Sequence, residues 1–166
     1  MHYSFDGDIV DGRKAEYFFM FCMVDALGKH DKILPSHTDY KGKDIIVTLQ
    51  CGYEFTFEIK NDMKAQETGN VGIEFECRGS QSGINVTKAN YWVQFYDKQF
   101  LVIPTHLLKE LINQNLYHRV AVGGDKGSNT KMYLFSKSEF EKHAKILNIS
   151  VFKDLFLKTN TKYNTY

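Results

Sequence analysis

The chain has 166 residues, of which 43% are hydrophobic and 25% charged, and its formal net charge is +1. This is the balance of an ordinary globular protein: no apolar run approaches the ~20 residues of a membrane span, so a membrane protein is not expected. The near-neutral total supplies no general basic field, so any nucleic-acid binding has to come from local patches.

Taken in chain order, the first residues lack the basic start and apolar stretch of a secretory signal, and a cytoplasmic protein is expected. Over residues 11–27, Ala15, Phe18, Phe19, Cys22, Met23, Ala26 and Leu27 recur at the spacing of an amphipathic helix, with Gly28 placed to stop it. Residues 29–43 are polar, include Pro35, and read as a loop. Residues 44–50 are β-branched and apolar, Cys51 and Gly52 form a turn signal, and 53–60 alternate aromatic with polar, which predicts an antiparallel hairpin. Another loop over 61–70 leads to a strand over 71–77 carrying Glu74 and Glu76 on one face. Residues 78–83 form a polar turn, and 87–90 a single helical turn capped by Thr87. Strands over 91–96 and 99–103 follow, separated by Asp97 and Lys98, so the sheet has about five members.

A helix from Pro104 and Thr105 to about Gln114 is carried by Leu107, Leu108, Leu111 and Ile112, with Thr105 as its cap. A short strand near 119–122, a loop over 123–129 and an apolar stretch over 132–135 precede a capping box of Ser136 and Glu139, which opens a helix ending near Leu147. The whole is an α/β arrangement: a mixed central sheet of about five strands flanked by helices, in one domain over 1–157 with a polar tail over 158–166. Cys22, Cys51 and Cys77 are odd in number and widely separated, which argues against disulfides and structural zinc and for small buried apolar residues.

The hairpin carries the chemistry. Strand side chains repeat with period two, so Glu58 and Lys60 share a face. Asp44 opens the first strand at the same end and is expected to approach Glu58. Two carboxylates beside an amine suit Mg2+ or Mn2+ chemistry on phosphates, because hard cations take oxygen ligands and leave room for phosphate oxygens.

This arrangement resembles the PD-(D/E)XK nuclease superfamily, which includes Holliday-junction resolvases, phage endonucleases and many restriction enzymes. The matched residues are Asp44, Glu58 and Lys60, with Lys43 standing where the name-giving proline would be. Residues 69–79 and 82–92 also look like a stretch of small phage-type members. The resemblance implies a restriction-endonuclease-like core and an endonuclease that hydrolyses phosphodiester bonds, with DNA preferred over RNA. It implies Asp44 and Glu58 as metal ligands, the Ile59 carbonyl as a further oxygen ligand, and Lys60 as the group that orients or polarises the attacking water. Glu16 on the first helix, Glu74 and Lys88 are accessory positions. A homodimer is expected by analogy, since cutting two strands needs two sites, and a phage or mobile-element origin goes with the likeness.

Lys41, Lys43, Lys64, Arg78 and Lys88 surround the proposed site in sequence and are expected phosphate contacts. Tyr91 and Trp92 are read as core residues, with base stacking as the alternative. Two rival readings use the same residues. In one, Asp44, Glu58 and Lys60 form a structural ion-pair cluster in a noncatalytic nucleic-acid-binding or assembly module. In the other, His37 joins the ligand shell of an RNA endonuclease.

Overall fold

A computed structural model describes residues 5–24, 27–36, 42–124 and 126–147. His37, Lys41 and the tail over 158–166 lie outside them. The elements run α1 (Phe5–Val24), β1 (Lys32–Pro35), β2 (Ile45–Thr48), β3 (Glu54–Asn61), α2 (Ala65–Thr68), β4 (Asn70–Cys77), β5 (Ser80–Gln81), a 3-10 turn (Gly83–Asn85), β6 (Tyr91–Tyr96), β7 (Gln99–Pro104), α3 (Thr105–Asn113), β8 (Arg119–Gly123), β9 (Thr130–Ser136), α4 (Lys137–His143) and β10 (Lys145–Ile146). The mixed α/β character is as expected, but the strands form two sheets.

The central sheet has six strands rather than about five, in the order β1-β2-β3-β6-β7-β10. Two strands are gained and one is lost. Residues 32–35, read as loop because of their polar surroundings, pair antiparallel with β2 from Lys32 opposite Thr48 to Pro35 opposite Ile45. Residues 145–146, read as the end of a helix, pair with β7; α4 stops at His143 because Ala144 turns extended. Strand β4, expected beside the hairpin, joins a separate four-stranded sheet in the order β5-β4-β9-β8. Its place next to β3 is taken by β6, which pairs with β3 in parallel, Glu58 opposite Trp92 and Lys60 opposite Gln94.

Both faces of the central sheet are covered. On one face, Ala15, Phe19 and Met23 of α1 pack on Phe55, Phe57 and Ile59 of β3 together with Val93, Phe100 and Val102. On the other, Trp92, Tyr96, Leu101 and Ile103 pack against Val71, Ile73 and Phe135 of the second sheet, Leu108 and Leu111 of α3, and Phe140 of α4. The layers are therefore helix, sheet, and a third layer of sheet and helices. Each fully buried aromatic in these clusters contributes roughly 2–3 kcal/mol of apolar transfer free energy. A polar tie joins the layers at the end of β3. The buried Gln94 donates to Asp62 Oδ2 at 3.0 Å and accepts from Trp92 Nε1 at 2.8 Å, and the N–H of Gly72 on β4 donates to the same Asp62 oxygen at 2.9 Å.

Tight turns explain several short connections. Asp97 and Lys98 both adopt positive φ (50° and 60°), as do Arg78 and Gly79 (52° and 75°), the backbone of two-residue hairpin turns whose twist matches the flanking strands. Residues 87–90, expected to form a helical turn, are irregular, and the turn lies earlier, over Gly83–Asn85. Gly83 sits at φ +49°, and a β-carbon there would stand 2.1 Å from the Glu74 carbonyl oxygen. Gly83→Ala is therefore expected to cost about 3 kcal/mol or more, read as a fall in the urea midpoint, because both strain and a backbone clash oppose it. An unchanged midpoint would mean that the turn does not pack on β4 this closely. Of the cysteines, Cys51 is exposed and Cys22 and Cys77 are partly buried, so the expectation of three buried thiols fails most clearly at Cys51, which lies in the β2–β3 loop.

Candidate active site

The hairpin register brings the proposed residues together. Ile45 pairs with Phe57, so Asp44, one step earlier, stands opposite Glu58. The Asp44 N–H donates to the Phe57 carbonyl at 2.8 Å, and the Ile59 N–H donates to Asp44 Oδ2 at 2.6 Å. The second bond pins the Asp44 carboxylate across the end of the hairpin. Glu58 and Lys60 share a face, as period two requires, and Lys60 Nζ lies 2.6 Å from Glu58 Oε1.

The environment is drier than an alternating strand led one to expect. Residues 55–59 are all buried, since α1 covers one face and the third layer the other. Glu58 is only 6% exposed, whereas the Lys60 side chain keeps 36% of its surface. The lysine is thus the member of the pair that meets solvent. Its Nζ also lies 5.6 Å from the centroid of the Trp92 ring, within cation–π range. Trp92 itself is 0% exposed and belongs to the core, so it does not stack on bases; Tyr91 is partly buried.

Electrostatics follow from this crowding. Burial first, and then the neighbouring charge of Glu58, push the Asp44 carboxyl up from its ordinary 3.8 to about 7, against the opposing pull of Lys60 and the Ile59 N–H. Burial of Lys60 acts to lower its pKa, but Glu58 and Asp44 outweigh that effect and the net shift is upward, so the amine stays protonated. Glu16 on α1 is also raised, chiefly by burial, and the fields of Lys60 and Glu58 reach it.

Other predicted positions divide into two groups. The Lys88 N–H donates to the Gly42 carbonyl at 2.9 Å, which places Lys88 and Lys43 on either side of the junction between the segment before β2 and the one before β6. Lys64 precedes α2, and Arg78 sits at the hairpin tip of the second sheet, where its N–H donates to the Ser128 carbonyl. Glu74 is on β4 of that second sheet and accepts from Ser82 Oγ; its field adds to the upward pull on Lys60.

The sequence predicts Thr87 as the cap of a helical turn. It is buried instead, donating to the Gly42 carbonyl at 3.0 Å and lying 3.3 Å from Glu58 Oε2. Asn90 locks the same segment to β3: its Oδ1 accepts from the Thr56 N–H and hydroxyl at 3.1 and 2.9 Å. Both roles depend on contacts between residues far apart in the chain, so no local signal reveals them.

The donor set fits a hard divalent cation. Asp44 and Glu58 are carboxylates, the Ile59 carbonyl is on the intervening backbone, and no thiol or imidazole takes part. Among the described residues no three acid, His or Cys side chains form a metal cage by themselves.

No family model and no curated protein matches the chain. Among solved structures it is similar to a bacterial homing endonuclease, I-Ssp6803I, with a TM-score of 0.55 at 13% sequence identity over 95% of this chain and 97% of that one. At that identity the likeness is one of fold, and it extends over nearly the whole of both chains. Among the described residues no helix is long and apolar enough to cross a membrane.

Proposed function

We propose that the protein is a divalent-metal-dependent endonuclease of the PD-(D/E)XK kind, acting on DNA in preference to RNA. The observation that carries this reading is the convergence of Asp44, Glu58 and Lys60 at one rim of the central sheet, where burial and Glu58 together raise Asp44 to about 7. Holding two acids together in a dry site opposes folding, and perturbed carboxylates of this sort gather where chemistry is done. The shared fold with a homing endonuclease supports the same reading, as does the chain order of a helix, a three-stranded antiparallel run β1-β2-β3, and a later strand parallel to β3.

Asp44, Glu58 and the Ile59 carbonyl would hold the cation, which when bound acidifies water and offsets charge on the phosphate. Lys60 stays protonated under the fields of its two acids, so its part is that of a donor: it orients the attacking water and neutralises a phosphate oxygen rather than removing a proton. Glu16 adds negative charge from α1 at the outer side of the cluster. Thr87 and Trp92 fix the positions of Glu58 and Lys60. Lys43, next to Asp44, and Lys88, whose N–H meets the Gly42 carbonyl, are the first expected phosphate contacts, with Lys64 and Arg78 as further ones.

The rival reading, a structural cluster in a binding module, draws on the Glu58–Lys60 pair at 2.6 Å. It gives Asp44 only the bond from the Ile59 N–H, which a neutral side chain would accept as well, and does not explain a second acid that burial penalises. Incubation with linear, branched and single-stranded DNA and with RNA, in magnesium, manganese or chelator, separates the readings. Cutting of DNA that chelator abolishes is the expected result, and metal-independent cleavage would reject the assignment. A proton on Asp44 competes with the cation, so apparent magnesium affinity is expected to fall toward tenfold per pH unit below about 7. An affinity flat from about pH 5 to 8 would remove Asp44 from the ligand set.

A further inference from the structure

A second site adjoins the first. A cleft of about 460 Å³ opens between the segment before β6 and the start of α3, and its polar lining includes Lys88, Asn90, Thr105, His106 and Lys109 without a single acid. Thr87 is common to both places: its hydroxyl is 3.3 Å from Glu58 Oε2, and the residue also lines the cleft.

The start of α3 departs from the sequence expectation in a way that bears on this cleft. Pro104, not Thr105, occupies the cap position and gives no side-chain hydrogen bond. Thr105 is the first helical residue, and its N–H donates to the Asn90 carbonyl at 2.9 Å. The next N–H groups of the first turn have no carbonyl within the helix to bond, which leaves partial positive charge at this end. Thr105 is 6% exposed, and its Oγ1 is the buried side-chain oxygen that has no hydrogen-bond partner among the described residues. An orphaned buried hydroxyl costs free energy unless something arrives to accept its proton. Lys88 and Lys109 are exposed and make no ion pair among the described residues.

An uncapped helix N-terminus, a buried hydroxyl lacking an acceptor and two uncommitted lysines in one acid-free cleft have a common ligand, a phosphate oxygen. We propose that this cleft binds a backbone phosphate of the nucleic acid, flanking the phosphate presented to Asp44, Glu58 and Lys60. The inference rests on the nuclease reading for its choice of phosphodiester. Thr105 donates through its hydroxyl, the first turn of α3 through its backbone, and Lys88 and Lys109 through charge. The cleft then sets the register of the strand relative to the cutting rim.

The test measures binding of a fluorescein-labelled DNA duplex to the full-length protein in chelator, across rising sodium chloride, separately from cleavage in magnesium. Lys109→Ala is expected to weaken binding several-fold and to lower the slope of log affinity on log salt by about one. Thr105→Val keeps the shape and removes the orphaned hydroxyl, so thermal stability is expected to hold or rise while DNA affinity falls; Thr105→Ser restores the hydroxyl and the affinity. In a parallel arm, inorganic phosphate titrated into labelled protein is expected to shift the amide signals of His106 and Leu107 in the parent more than in Thr105→Val. Unaltered affinity and salt slope in Lys109→Ala together with unaltered affinity in Thr105→Val would overturn the proposal, whatever the cleavage assay shows. Reduced binding in these variants with no metal-dependent cutting by the parent would keep the phosphate site and reject the nuclease. Phosphate shifts without any change in DNA binding would mean that the cleft takes free phosphate and would also overturn it.

Discussion

Lys60→Ala is expected to lower kcat for DNA cleavage by about a thousandfold, the scale seen when a preorganised donor is removed from a transition state with developing negative charge. The same change strips the 6%-exposed Glu58 of its cation. A buried charge left alone costs about 3 kcal/mol or more, so the variant is also expected to melt several degrees lower. The two effects are separable. Glu58→Gln in the Lys60→Met background removes both charges, and is expected to recover most of the lost stability with no recovery of cutting. Undiminished cleavage by Lys60→Ala would end the claim that this amine serves the reaction.

The second large effect has opposite signs in its two readouts. Asp44→Asn is expected to abolish cleavage and yet to stabilise the protein near neutral pH and above. The Asp44 carboxyl is raised from 3.8 to about 7 in the folded chain, so the native state holds that proton more tightly than the unfolded state does. Its favourable contribution is complete below about pH 4 and is lost as pH rises through about 7, beyond which the folded protein carries the full cost of a buried anion. An asparagine copies the neutral form and can still accept the Ile59 N–H. The gain is expected to be on the order of 3 kcal/mol at about pH 8 and to vanish near pH 4, read from urea midpoints. Magnesium should raise the melting temperature of the parent and leave that of the variant unmoved, because only the parent gains a ligand that binds the folded state. A variant less stable than the parent at about pH 8 would show that the Asp44 carboxylate is structurally required.

The candidate site residues are more legible in the sequence than the sheet that carries them. Asp44, Glu58 and Lys60 sit on one hairpin, so local periodicity and a turn at Gly52 were enough to bring them together. Strand β1 escaped because Lys32–Pro35 is a short edge strand in polar company, and Pro35 reads as loop punctuation although an edge tolerates it. Strand β4 was recognised as a strand and assigned to the wrong sheet, since its alternation is equally compatible with either partner. What decides is the pairing of Asn70 with Ser136 and its neighbours, between residues distant in the chain. Thr105 was misread for a related reason: a threonine after proline looks like a cap, and only the fold shows that Pro104 takes that place and leaves the hydroxyl orphaned.

The parallel junction between β3 and β6 governs when the candidate site is completed. The hairpin holding Asp44, Glu58 and Lys60 is synthesised first, but the far edge of β3 stays unpaired until Trp92 and Gln94 have been made. Non-local closures of this kind are slow. Nascent fragments that end before β6 therefore lack the Trp92 ring beside which Lys60 rests, and are expected to be inactive in the proposed reaction.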